Sequence, residues 1–211
     1  TIASGKTITT TNGNITITTS RFVNSSSSSA LNAGGANTNW SVWSSNSNPF
    51  SSTSSIADNP GNLSGDFIQY NATYGVSSIL GSGNGYFYTL APSIAVSLTG
   101  TIQKNYDGTN TAFLSQSNYS ITGLVNGDTV TITNTSATYT SNGTAAQIAY
   151  AGTGKNVSVS GISLSGASHG SQLVYGYRIT SSSSLSSASG VINKAYITYT
   201  GSVTNGTYNG N

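Results

Sequence analysis

Asn156-Val157-Ser158-Val159-Ser160-Gly161-Ile162-Ser163-Leu164-Ser165 carries the clearest fold signal of the chain. Valine, isoleucine and leucine alternate with serine, so an extended chain here has one apolar and one polar face. Gly161 marks a turn between two such strands. The same period runs through Ile94-Ala95-Val96-Ser97-Leu98-Thr99 and Thr129-Val130-Thr131-Ile132-Thr133. Glycine-bearing turns fall at 123–127, 143, 152–154, 161 and 166. The pattern predicts apolar faces closing on one another as two antiparallel sheets, an Ig-like sandwich over 92–196. Within it, Ser181–Ser189 reads as a low-complexity loop and Gly190–Tyr199 as a further strand.

Composition supports an all-β chain. Serine (40), threonine (30), glycine (25) and asparagine (23) occupy 118 of the 211 positions. These residues are weak helix formers, and the few charges leave almost no i,i+4 ion pairs to write. So polar a chain invites a disordered reading, but thirteen tyrosines, five phenylalanines and two tryptophans oppose it. The formal charge of +2 is too small to condense on nucleic acid or an anionic membrane. No stretch approaches the roughly 20 apolar residues of a membrane span. The lack of an initiating methionine or a signal-type apolar segment reads as a mature, processed chain.

Several chemistries lack their residues. There is no cysteine for redox work or thiolate metal sites. One histidine and four scattered aspartates supply zinc poorly. Glycosidase chemistry needs two carboxylates about 5–10 Å apart, and neither Asp58 with Asp66 nor Asp107 with Asp128 sits in such a motif. His169 lies in Gly166-Ala167-Ser168-His169-Gly170 with no nucleophile elbow and reads as an exposed turn residue. Gly152-Thr153-Gly154-Lys155 lacks phosphate-loop spacing. The inventory reads as non-enzymatic.

The segment 1–91 has a different texture. Ile8, Ile15 and Ile17 are inward positions of short strands on either side of Asn12-Gly13, a tight-turn signal. Either a plain hairpin or successive strands of a β-solenoid edge satisfies that pattern. Trp40-Ser41-Val42-Trp43 is another short strand, and Asn46–Gly65, punctuated by Pro49 and Pro60, is a loop. Phe67–Tyr70, Tyr74 and Tyr86–Tyr88 supply the remaining aromatics of a small core. Trp40, Trp43, Tyr86 and Tyr88 alternatively form a carbohydrate-stacking surface.

An internal echo is informative. Val96-Ser97-Leu98-Thr99-Gly100-Thr101-Ile102 recurs as Ile197-Thr198-Tyr199-Thr200-Gly201-Ser202-Val203, and Tyr106-Asp107-Gly108 as Tyr208-Asn209-Gly210. The expectation is one complete repeat followed by the first strand of another, an overhang at 197–211.

Lys104-Asn105-Tyr106-Asp107-Gly108-Thr109 resembles the opening signature of the YDG domain. Gly123-Leu124-Val125-Asn126-Gly127-Asp128-Thr129-Val130, Gly152–Ala167 and Ile192-Asn193-Lys194-Ala195 are similar to that family's later segments in order. Ser171–Ser189 is longer and more serine-rich than the family's pattern. The segment 6–90 resembles the β-helix end of filamentous-haemagglutinin-like exoproteins of two-partner secretion. The resemblance implies a part of a large bacterial surface or secreted adhesin, and no catalytic residues.

A lone strand opening a second sandwich cannot bury its apolar side. The expectation is therefore a donated strand: 195–211, through Ile197, Tyr199, Val203 and Tyr208, or the strands of 1–20, through Ile2 and Ile8, adding to a neighbouring copy's sheet. The chain then reads as a homopolymeric extracellular fibre subunit, with a glycan-binding adhesin module and a stalk spacer as alternatives. Its expected partners are copies of itself and surface glycans, without nucleic acid or membrane insertion. No cofactor is expected, with calcium at Asp107 and Asp128 a weak alternative. An isopeptide from Lys104, Lys155 or Lys194 to an asparagine is another. Ten Asn-x-Ser/Thr sequons, at Asn14, Asn24, Asn39, Asn62, Asn71, Asn118, Asn134, Asn142, Asn156 and Asn205, leave glycosylation open.

Overall fold

The alternating stretches fold as strands in the computed structural model of the chain, which describes residues 1–140, 150–196, 198, 200 and 201. The described residues are all-β, with one short 3-10 turn and no α-helix. β1 (Ile8–Thr10) and β2 (Ile15–Thr19) do not pair with each other. Each instead takes a parallel partner one coil later: β1 lies on β3 (Leu31–Ala33) and β2 on β4 (Trp40–Ser44), while Ile2 bridges Asn24. Of the two readings of Asn12-Gly13, the hairpin is thus excluded, and that dipeptide turns the corner between strands of one coil.

β6 (Gly85–Tyr88) stacks in parallel on β4, and β5 (Phe67–Gln69) on β6. β14 (Gln172–Tyr175) adds to β5, also in parallel, then β13 (Ser163–His169) and β10 (Thr129–Thr133) follow antiparallel. The resulting seven-stranded sheet runs β10-β13-β14-β5-β6-β4-β2 and passes through the expected boundary near residue 91. A row in register, Ile17, Val42, Tyr86, Ile68 and Val174, crosses five strands on one face. Val42, Ile68 and Val174 are almost fully buried there, each contributing roughly 1.5–3 kcal/mol. Ala167, Val125 and Tyr177 pack against the same core. Trp43, Phe67 and Phe87 form a second core on the opposite face.

A four-stranded and a three-stranded sheet are also present among the described residues. β12 (Gly152–Ser160) lies between β11 (Ser136–Thr140) and β16 (Ser184–Asn193), and β8 (Ile102–Asn105) runs parallel to β16. β7 (Ser93–Leu98) pairs antiparallel with β9 (Tyr119–Thr122) and parallel with β15 (Arg178–Ile179). Leu98, Leu114 and Ile162 join the cores of these sheets. The predicted Ig-like antiparallel sandwich is not what these pairings display, because β16, β15 and β14 each return parallel to an earlier strand.

The loop expected over Ser181–Ser189 is corrected: from Ser184 onward it is strand. Its backbone pairs with β12, Leu185 opposite Val159 and Ser187 opposite Val157. Small side chains suit this place, since a Cβ on Gly190 would lie 2.8 Å from Val157 and 3.0 Å from the Tyr139 ring.

Candidate functional site

The first candidate is the outer edge of the first coil. β2 ends the seven-stranded sheet, and β1 pairs only with β3 among the described residues. In a parallel ladder alternate residues turn toward a given neighbour. The Ile15 N–H donates to the Asn39 carbonyl, and the Thr19 carbonyl accepts from the Ser45 N–H. Residues 15, 17 and 19 therefore serve β4, leaving the N–H and C=O groups of Thr16 and Thr18 on the outward side. Of the predicted contact residues, Ile2 is buried and paired within its own fold, whereas Ile8 is 42% exposed on β1. Ile197, Tyr199, Val203 and Tyr208 lie outside the described residues.

The second candidate joins the two halves of the chain. The turn before β10 delivers Asp128, whose side chain is wholly buried. Its Oδ2 accepts the Tyr70 hydroxyl at 2.6 Å and the Tyr177 hydroxyl at 2.8 Å, and its Oδ1 lies 3.1 Å from His169 Nδ1. Tyr177 also accepts the Val125 N–H at 3.0 Å, which ties the 123–127 turn to the network. Burial first, then the bond to Asp128, pushes the Tyr70 phenol far above the ordinary tyrosine range. Burial raises Tyr177 as well, with the Val125 N–H pulling against it. Both phenols thus stay protonated and donate. This is a clamp built around one carboxylate.

His169 is therefore not simply a turn residue: its side chain is 39% exposed and braced by Asp128. Among the described residues no serine hydroxyl hydrogen-bonds its other ring nitrogen, so the geometry does not complete a triad. The four aspartates have separate partners. Asp66 accepts the Asn84 N–H, and Asp58 the Phe22 N–H and the Asn46 amide. No group of three or more metal-ligating His, Cys, Asp or Glu side chains occurs among the described residues. Asp107 and Asp128 belong to different constellations.

Lys104 carries the turn that opens the Tyr106-Asp107-Gly108-Thr109 motif. Its Nζ donates to Asp107 Oδ1 at 2.6 Å, to the Thr109 carbonyl at 2.9 Å and to the Thr109 hydroxyl at 2.8 Å. Those three bonds use all of its donors, and no asparagine is among its partners. The Lys104 ammonium, then the Thr109 N–H, holds the Asp107 carboxyl down at about 2. A lowered folded-state value means that this contribution is complete above the unfolded carboxylate range and lost as pH falls through about 2. An NMR titration is expected to find the Asp107 midpoint at about 2 and to see it rise toward the ordinary value of 3.8 in Lys104→Met. An unmoved midpoint would show that the ion pair does not set it.

The four aromatics expected to stack on glycans are brought close but not onto one surface. Trp40 faces the first core, edge-on to Tyr86 at 5.1 Å, while Trp43 stacks on Phe87 at 3.8 Å on the opposite face. All four are buried. Among the sequons, Asn24 is also buried, its amide donating to the carbonyls of Ser27 and Pro60; Asn142 and Asn205 lie outside the described residues. No helix among the described residues is long and apolar enough to cross a membrane.

Residues 89–172 match the family model of the YDG domain, so the chain carries a YDG domain there. That range contains Asp128 and His169 of the clamp, with Tyr70 before it and Tyr177 just beyond it. It closes at the first residue of β14, short of β16, which pairs with two of its strands. No curated protein and no solved structure matches the chain.

Proposed function

We propose that the chain is a structural subunit of a bacterial extracellular fibre or surface adhesin, of the filamentous-haemagglutinin-like kind, that assembles by strand addition between copies. The outward-facing backbone groups of Thr16 and Thr18 on the open edge of β2 carry this reading. Such an edge is a template for another strand. Scarcity of charge supports it, because few lysines or aspartates guard the edge: from Ile8 to Thr19 there are none. The donor inferred from the sequence is the segment 197–211 of a neighbouring copy.

Proline at Thr18 is the test. It removes an outward donor while leaving the bonds of residues 15, 17 and 19 to β4, a substitution edge strands tolerate. The wild-type chain is expected to form uniform fibres in electron micrographs. Thr18→Pro is expected to keep the circular dichroism of the parent and to lower the sedimenting fraction roughly tenfold or more, since a blocked donor costs about 1–3 kcal/mol per junction. Deletion of 197–211 is expected to do the same. Fibres of unchanged yield from Thr18→Pro would remove this edge from the assembly.

A further inference from the structure

Beside the clamp lies an open cleft of about 540 Å³, walled by the 49–64 loop on one side and by Asn126, His169 and Gln172 on the other. Phe50, Tyr86 and Tyr88 line it, Phe50 edge-on to Tyr88 at 5.0 Å. Asp58 lines it too. Its Oδ1 is engaged by the Phe22 N–H at 3.1 Å and the Asn46 amide at 2.8 Å. Its Oδ2 is buried and has no hydrogen-bond partner among the described residues. An acceptor left without a donor costs about 1–3 kcal/mol, more when charged, so a donor arriving from the cleft would recover that loss.

The other polar groups are poised in the same sense. Tyr86 spends its hydroxyl on the Leu63 carbonyl, whereas the Tyr88 hydroxyl has no protein acceptor among the described residues. Burial, then the nearby Asp58 charge, pushes that phenol up, so it remains a donor. His169, which lines the cleft, meets Asp128 through Nδ1, and its second ring nitrogen has no partner among the described residues. Gln172 donates its amide N–H to the Gly65 carbonyl and keeps its oxygen.

This lining sorts ligands by charge. No lysine or arginine lines the cleft, so phosphate or carboxylate would find no counter-charge there. A single lining carboxylate falls short of a divalent-cation site. The half-buried Phe50 ring offers a face to the C–H groups of a sugar ring, and the amide, imidazole, phenol and carboxylate groups of the lining match its hydroxyls. We propose that this cleft binds a neutral saccharide of one or two rings, one hydroxyl donating to Asp58 Oδ2 and another meeting Tyr88. The site takes Asp58 and Tyr88 from the first part of the chain and His169 and Gln172 from the second, and it does not depend on the fibre reading.

Saturation-transfer NMR on the full chain tests it. The probes are glucose, galactose, mannose, N-acetylglucosamine and their β-1,4 disaccharides, with inorganic phosphate and calcium chloride as comparators. At least one neutral sugar is expected to bind. Tyr88→Phe and Asp58→Asn are each expected to weaken it about tenfold, the effect of one lost hydrogen bond, with the melting temperature held. Tyr88→Phe keeps the buried ring, so it serves even where Asp58→Asn disturbs the loop. The Thr18→Pro chain is expected to bind the same sugar, which separates this outcome from assembly. Absence of transfer to every sugar, affinity that survives both substitutions, or binding of phosphate or calcium in place of sugar would overturn the proposal.

Discussion

Asp128→Ala is expected to lower the unfolding free energy by about 3–5 kcal/mol, since two buried hydrogen bonds to one carboxylate are lost at about 1.5–3 kcal/mol each. The alanine leaves the Tyr70 and Tyr177 hydroxyls inside the protein without their acceptor, and His169 without its brace. For a chain of this size each kcal/mol moves the melting temperature by roughly 2–4 °C, so a fall of about 10 °C is the calorimetric signature. Tyr70→Phe is milder. It removes one charge-assisted bond, worth about 1.5–3 kcal/mol, while Asp128 keeps Tyr177 and His169. The order of the two variants matters as much as their size. An Asp128→Ala chain melting within about 1 °C of the parent would mean that the halves are held together by the sheet alone.

The second large effect comes from a residue with no side chain. Gly85 sits in β6 directly opposite Phe67 of β5. A Cβ there would lie 2.4 Å from the Phe67 ring, and one on Gly81 would lie 2.3 Å from it. The ring has little freedom to move, since it is wedged edge-on against Phe87 at 5.3 Å and Tyr175 at 6.1 Å. Gly85→Ala is therefore expected to destabilise by about 3 kcal/mol, the upper part of the range for overpacking a core. Gly13→Ala is the matched control. Nothing lies within 4 Å of a Cβ at Gly13, and its change is expected to stay within about 0.5 kcal/mol. Neither glycine has a positive φ, so the contrast isolates sterics from backbone preference. Equal denaturation midpoints for the two variants would contradict the packing described for Phe67.

Much of the strand content was legible because period two is a local signal. Ile94–Leu98, Val130–Ile132, Val157–Val159 and the strand after Gly161 each declare their own faces through neighbouring residues. Ser184–Ser189 was not legible, because a run of serines looks the same in a loop and in a strand. Its state follows from lying beside β12, which is distant from it in sequence. The clamp was hidden for a similar reason. Asp128 reads as a turn residue after glycine, and its tyrosine partners stand 58 and 49 positions away. Trp40 and Trp43 attract a surface reading as aromatics, but their odd spacing on one strand sends them to opposite faces of the sheet.

Sequence alone determined that the chain is β-rich, poor in charge and carries a YDG domain, since alternation, composition and motif order are properties of neighbours along the chain. Which strands meet, and in which direction, depends on long-range packing. Leu173 lies in register beside Phe67, and Gln172 reaches the Gly65 carbonyl 107 positions away. A strand's pattern specifies which side it buries, but its backbone accepts parallel and antiparallel neighbours alike. The choice falls to whichever distant strand brings a complementary face into contact.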